Sequence, residues 1–307
     1  MRCVLPHGII ASTVTPTNRQ GELALNQFVP QVEWLLHEGV DGLSPLGSSG
    51  EFAAFDVAER KQILESLVKV VNGRTHIMAG VHHYSTARTI ELARHAQAVG
   101  ADSLLITPPY YMVPTLPQVM DHYRAIAARV SVPIVLYHTT VNTAVDLGTR
   151  ELVQLFEEKA ISGVKMSNAQ PDRIASLLQA THGQMTVYVG LDLVAFEGLC
   201  HGAQGWISGI PSFAPRAARR LYDAIRRDDL DSARAHWNDL AALAHFEFQQ
   251  FLSDGNGYGP QWFSVMKAAL NMLGVPVGDP ILPIQPLSTE DQKMLRSLLI
   301  KIGCDAL

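Results

Sequence analysis

Eight short apolar runs, separated by stretches of helical periodicity, restrict the fold of this chain more than any other feature. They are GIIASTVTP (8–16), DGLSPLG (41–47), HIMAGVH (76–82), DSLLITPP (102–109), PIVLYHT (133–139), ISGVKMS (161–167), TVYVG (186–190) and GWISG (205–209). Each is nearly continuous in apolar residues rather than alternating. A strand reads this way when both of its faces are covered, the condition of a parallel sheet flanked by helices. Between the runs lie amphipathic stretches. FDVAERKQILESLVKVV (55–71) places Val57, Ile63, Leu64, Leu67, Val68 and Val71 on one face. Asp56 followed by Glu59 has the spacing of an N-terminal capping box. TARTIELARHAQAVG (86–100) ends on Gly100, a helix terminator. EGVDGLS (38–44), VGADSLL (99–105) and HGAQGWI (201–207) repeat one order: helix end, glycine, strand.

Eight such units predict an α/β fold, a (β/α)8 barrel. The rival is an open doubly wound sheet, which normally carries a glycine-rich nucleotide fingerprint after its first strand. Here the first run continues into VTPTNRQGEL, which has none. After about residue 215 the pattern turns helical, over 231–252, 261–274 and 288–303. The Gly/Pro-rich stretches 253–260 and 275–286 read as connectors. The expectation is one domain over 1–307, with the barrel in 1–228 and a C-terminal helical extension in 229–307.

Composition narrows the function classes. The 307 residues are 47% hydrophobic and 17% charged, an ordinary globular balance. Net charge is -5 without a long basic run, which argues against nucleic-acid or anionic-membrane partners. The apolar stretches fall far short of the ~20 residues of a membrane span. The start, MRCVLPHGII, lacks the pattern of a signal peptide. Cys3, Cys200 and Cys304 are odd in number and far apart, with no zinc-type spacing. Free thiols in a reducing cytoplasm are the expectation.

One strand breaks its own pattern. ISGVKMSN (161–168) spends a position on Lys165, a cation that is costly to bury unless paired or neutral. Active sites of (β/α)8 barrels sit at the C-terminal ends of the strands. A lysine there is desolvated by the barrel walls, and desolvation favours the free amine that attacks a carbonyl. The rival account is structural: Lys165 snorkels to solvent or pairs with a buried acid. Other strand ends add weight to the chemical account. The second run enters GSSGE (47–51), whose two glycines bare backbone N–H groups beside Ser48 and Ser49. Such a loop suits a carboxylate, though a plain turn would look the same. The fifth run ends in Tyr137, a candidate proton carrier or a core residue. The fourth leads into PPYYMVP (108–114), more typical of an interface or a lid.

Together these elements resemble one family, the dihydrodipicolinate synthase and N-acetylneuraminate lyase superfamily of pyruvate-dependent class I aldolases. The resemblance covers almost the whole chain. It rests on the ordered set GSSGE, PYY, a strand-end Tyr and GVK, each weak alone and specific in this order. It implies that Lys165 is the Schiff-base lysine and Tyr137 the general acid/base. Ser48 and Ser49 would bind the substrate carboxylate, with Ser48 also relaying protons. Tyr111 would complete that relay from the neighbouring subunit of a homotetramer, a dimer of dimers. Gly190 and Ile207 match positions whose carbonyls face the substrate, and Glu51 reads as structural. The implied partners are a small 2-oxo acid, pyruvate, and an aldehyde. No metal, nucleotide or other cofactor is implied.

The sequence departs from the family at the second substrate. Where dihydrodipicolinate synthases carry an arginine that grips aspartate semialdehyde, Asn142 stands, and a neutral amide cannot give the bidentate charged pair. Where sialate lyases carry an Asp-Glu pair, Asp192 is followed by Leu193. Asp192 and Ser167 could bind a hydroxylated substrate or be ordinary cap residues. His138 adjoins Tyr137 and should point the opposite way, as a structural histidine. His82 and His83 likewise face opposite sides, against a shared metal. The reading is a Schiff-base lyase that cleaves or forms a 4-hydroxy-2-oxo acid. The alternatives are a 3-deoxy-2-oxo sugar acid dehydratase, dihydrodipicolinate synthase proper, and a non-catalytic 2-oxo acid binding relative.

Overall fold

The computed structural model describes residues 4–18, 20–249 and 261–304. Eight strands close a parallel barrel in sequence order: β1 (Gly8–Ala11), β2 (Gly42–Leu43), β3 (His76–Gly80), β4 (Ser103–Ile106), β5 (Ile134–His138), β6 (Gly163–Met166), β7 (Thr186–Val189) and β8 (Gly205–Ser208). β1 pairs with both β2 and β8, so the sheet has no edge. The apolar runs are continuous because each strand serves two cores. Ile10, Met78, Leu105, Val135, Tyr137, Tyr188 and Ile207 fill the barrel interior. Their chain neighbours Ile9, Ala11, Leu104, Ile106 and Leu136 face the surrounding helices.

The helices that cover the outer faces begin with α1 (Phe28–His37), α2 (Val57–Val71), α3 (Thr86–Val99) and α4 (Leu116–Ala127). They continue with α5 (Thr140–Thr143), α6 (Thr149–Glu157), α7 (Asp172–Ala180), α8 (Ala195–Cys200), α9 (Ile210–Phe213) and α10 (Pro215–Arg226). The predicted capping box of α2 is present. Asp56 Oδ1 accepts from Glu59 N at 2.8 Å, and Glu59 Oε2 accepts from Asp56 N at 2.8 Å. Beyond the barrel lie α11 (Leu230–Glu247), α12 (Trp262–Met272) and α13 (Thr289–Lys301). α11 packs on α10 and α13, and α12 packs on α9 and α13. The connector expected over 253–260 lies outside the described residues.

Two strands are shorter than the apolar runs suggest. β2 stops at Leu43, because Pro45 has no N–H to give and Leu46 turns the chain at φ 58°. β1 stops at Ala11, and the chain then leaves the barrel toward the C-terminal extension, where Thr17 N donates to Val277 O at 3.1 Å. No helix among the described residues is long and apolar enough to cross a membrane.

Candidate active site

Parallel register aligns Lys165 of β6 with Tyr137 of β5 on one side and Tyr188 of β7 on the other. Laterally paired residues face the same way, so all three side chains enter the barrel. Tyr188 donates its hydroxyl to Pro6 O at 2.7 Å. Lys165 is 5% exposed. Its Nζ lies 4.1 Å from the centroid of the Tyr137 ring, over the electron-rich face. Gly190, at the end of β7, makes this possible. A Cβ there would come within 2.7 Å of Lys165 Cγ, 2.8 Å of Lys165 Cε and 2.2 Å of Ser167 Oγ. Any larger residue would evict the lysine from its present path.

The Tyr137 phenol is ringed by hydroxyls. Burial alone would push its pKa up. The Lys165 charge and hydrogen bonds with Ser48, Ser167 and Thr139 outweigh burial and hold it below the ordinary tyrosine value. Ser167 Oγ donates to Gly190 O at 2.7 Å, and Thr139 Oγ1 donates to Asn142 Oδ1 at 2.7 Å. Ser167 and Thr139 thus share their protons between these acceptors and the phenol oxygen, and the Ser48 hydroxyl is the third that can exchange a proton with the phenol. The turn that carries Ser48 closes through Gly50 N to Gly47 O and Glu51 N to Ser48 O. The N–H groups of Ser48 and Ser49 are not spent in that closure.

A cavity of about 650 Å³ opens on this group, lined by Ser49, Tyr137, Lys165, Ser167, Gly190 and Asn142 among others. A second cavity of about 330 Å³ touches Ser48 and shares Asn142 and Trp262 with the first. Three of the expected residues stand apart. Tyr111 is 90% exposed at φ 75° and lines neither cavity. Ile207 contributes its side chain to the barrel interior beneath the site. Asp192 is wholly buried on the outer side of the strands. Its Oδ1 accepts from Trp206 Nε1 at 2.8 Å, and its Oδ2 accepts from Ser208 Oγ at 2.7 Å and Gly209 N at 3.0 Å. These bonds use the carboxylate to hold the β8 loop and turn it away from the cavity.

Two neighbours of the site escape sequence reasoning. Glu247, at the end of α11, is fully buried and hydrogen-bonded to Asp192. Burial and the Asp192 charge push its pKa well above the ordinary glutamate value; burial also raises Asp192, against the hydrogen bonds it accepts. Lys267 of α12 is fully buried and pairs with Glu51 Oε2 at 2.6 Å, while Glu51 Oε1 accepts from Ile281 N at 2.7 Å. Lys267 Nζ also donates to Asp279 O at 2.9 Å. Glu51 thus ties the GSSGE turn to the C-terminal extension. Only the pattern of charged residues inside apolar helices could have signalled either one.

The histidines are structural. His138 is fully buried, and burial pushes its pKa down to about 4. The ring is therefore neutral, and its Nε2 accepts from Leu147 N at 3.2 Å rather than pairing with Asp146. His82 Nδ1 accepts from Thr107 N at 2.9 Å, and His83 Nδ1 accepts from Ser85 N at 2.9 Å. Among the described residues no group of three or more His, Cys, Asp or Glu could hold a metal ion.

A closed (β/α)8 barrel with a desolvated lysine and a charge-tuned tyrosine at its C-terminal mouth defines a lyase of the class I aldolase type. Known proteins agree. The model of the dihydrodipicolinate synthetase family matches residues 5–302, and the chain belongs to that family. The 4-hydroxy-tetrahydrodipicolinate synthase of Ralstonia nicotianae is 30% identical over 296 residues, 96% of this chain and 97% of that protein. The synthase of Phenylobacterium zucineum is 34% identical over 283 residues, 92% of each. The dihydrodipicolinate synthase of Acinetobacter baumannii, solved with pyruvate, superposes with a TM-score of 0.87 at 31% identity, covering 97% of this chain and 99% of that one. YagE of E. coli K12, a family member also solved with pyruvate, gives 0.88 at 28% identity, covering 98% and 100%.

Proposed function

We propose that Lys165 forms an imine with C2 of pyruvate and that the enzyme makes or breaks the C3–C4 bond of a 4-hydroxy-2-oxo acid. The observation that carries this reading is the Lys165 Nζ held 4.1 Å over the Tyr137 ring, inside a cavity and beside a ring of hydroxyls. Pyruvate bound in the A. baumannii and E. coli relatives supports the choice of 2-oxo acid.

In the cleavage direction the amine lone pair adds to C2, and water leaves to give a protonated imine. The C4 hydroxyl gives up its proton, and the C3–C4 electrons move into a C2–C3 enamine as the aldehyde departs. The enamine is protonated at C3, and water hydrolyses the imine to pyruvate and free Lys165. Tyr137 carries the proton at each stage, because the Lys165 charge and the surrounding hydroxyls stabilise its phenolate. Ser48 connects it to the carboxylate end of the substrate. Ser49 and the free N–H groups of the turn hold that carboxylate. Ser167 and the carbonyls of Gly190 and Ile207 complete the pyruvate pocket. Asn142 in place of an arginine argues against lysine-precursor synthesis as the reaction.

The same reading includes a cytoplasmic homotetramer, with Tyr111 reaching the partner's site from an exposed Tyr111–Met112–Val113 edge. Sedimentation as a monomer at micromolar concentration would remove Tyr111 from the machinery. The buried Lys267–Glu51 pair supports a single domain, with 229–307 as part of the barrel's own structure.

Borohydride reduction in the presence of pyruvate tests the central step. The expected result is a pyruvate-sized adduct on Lys165, absent from Lys165→Ala. A folded wild-type protein that gives no adduct would overturn the imine.

A further inference from the structure

We infer that the carbonyl partner is an uncharged aromatic aldehyde, which rests on the pyruvate-imine reading above. The site cavity, at about 650 Å³, is far larger than pyruvate needs. Besides the lysine, the hydroxyls and the polar Asn142, Asp146, Asn168 and Gln170, its wall carries an apolar surface of Leu191, Leu193, Val141, Phe248 and Trp262. Phe248 and Trp262 stack with their centroids 6.1 Å apart and their planes 16° from parallel. Trp262 meets Phe263 edge to face at 4.9 Å, and both line the adjoining cavity as well. A flat apolar group entering here meets ring faces and leucines.

Charge points the same way. Among the described lining residues Lys165 is the one cation, and in the enamine that attacks the aldehyde its nitrogen is neutral. The other ionised group at the wall is the Asp146 carboxylate, paired at 2.7 Å with Arg173, which does not line the cavity. Arg173 is further committed to Leu147 O at 2.9 Å. Residues 250–260, between Phe248 and Trp262 in the chain, contain no Lys or Arg. An aldehyde bearing its own carboxylate would be desolvated without a counter-charge.

A sugar fares little better. The Asp192 oxygens are held by Trp206, Ser208 and Gly209, the next residue is Leu193, and the protons of Ser167 and Thr139 are shared among Gly190, Asn142 and the Tyr137 phenol. Asn168, buried and lining the cavity with neither amide atom bonded among the described residues, offers one neutral site. With Asn142 and Gln170 the lining holds three neutral amides, which can meet polar substituents on an uncharged ring but supply no counter-charge to a second carboxylate. In condensation the enamine C3 attacks the aldehyde carbon, the aldehyde oxygen takes a proton, and water hydrolyses the imine. Pyruvate and ArCHO become 4-aryl-4-hydroxy-2-oxobutanoate, with the water lost on imine formation returned.

The test pairs borohydride trapping with a substrate panel of benzaldehyde, glyceraldehyde and aspartate semialdehyde, each with pyruvate and the full chain. Benzaldehyde should be condensed with a kcat/KM at least about tenfold above the other two. Trp262→Ala should cut the benzaldehyde-to-glyceraldehyde ratio about tenfold. If the pyruvate adduct forms and either polar aldehyde outruns benzaldehyde, the aromatic assignment falls and the lyase reading stands. If no adduct forms, both fall. The wild-type ranking decides the matter even where Trp262→Ala does not fold.

Discussion

Replacing Glu247 by glutamine should make the protein more stable than the wild type, by an amount that grows with pH. Glu247 and Asp192 are both fully buried, and the charge acting on Glu247 is that of Asp192. Two carboxylates in contact out of water cannot both ionise, so the pair keeps a proton. The unfolded chain releases that proton above the ordinary glutamate value of 4.5. A folded pKa raised above the unfolded one contributes stability that is fully present below 4.5 and lost as pH rises toward the folded value. The loss runs at about 1.4 kcal/mol per pH unit. Glutamine keeps the shape and donates to Asp192 without titrating. The difference in unfolding free energy, variant minus wild type, should therefore widen as pH rises from 5 to 7, by no more than about 1.4 kcal/mol per pH unit. Urea unfolding at fixed protein concentration reads it, and Trp206, which donates to Asp192 Oδ1, gives a local fluorescence signal. Stability curves that run parallel across this range would refute the shared proton.

Two further outcomes follow from the site and its support. Tyr137→Phe should lower kcat by about 10²–10⁴ while borohydride still traps pyruvate on Lys165, because the phenol speeds the proton transfers of each stage but the bond to pyruvate is made by Lys165 and still forms, more slowly, without it; an unchanged kcat in steady-state assays would remove Tyr137 from the chemistry. Lys267→Met strands the Glu51 charge in the interior and should cost about 3–5 kcal/mol in urea unfolding. Adding Glu51→Gln should recover much of that loss, and a double variant no better than the single one would show that the pair is not the reason.

The parts of this molecule that local sequence determines were legible in advance. Residues such as Leu104 and Leu105 are both buried, one against helices and one inside the barrel, and that double duty writes an unbroken apolar run. The Asp56–Glu59 box is complete within four residues, so spacing alone reveals it. Lys165 stood out because an apolar strand has no other use for a cation. The supporting pairs were not legible, because each partner gains its meaning from the other's position. Glu51 and Lys267 are joined across more than 200 residues, and Glu247 reads as one polar residue in an aromatic helix until Asp192 is placed beside it. Asp192 was left open between ligand and cap residue for the same reason. Its position after the β7 glycine suggested a ligand, while Trp206, Ser208 and Gly209 claim it from the next strand.

The Glu51–Lys267 tie also sets an order of events during synthesis. Chains fold as they emerge, amino-terminal parts first. Ser208 ends the last strand, so all eight strands are made, and can begin to pair, before the extension is complete. At that moment the turn bearing Ser48 and Ser49 is present but its anchor is not, since Lys267 and the Ile281 amide are still to be made. A nascent chain at that stage has a barrel and a lysine but no fixed cradle for a carboxylate. The capacity to bind substrate arrives last, with α12, and a ribosome that stalls before it leaves a folded shell without a working mouth.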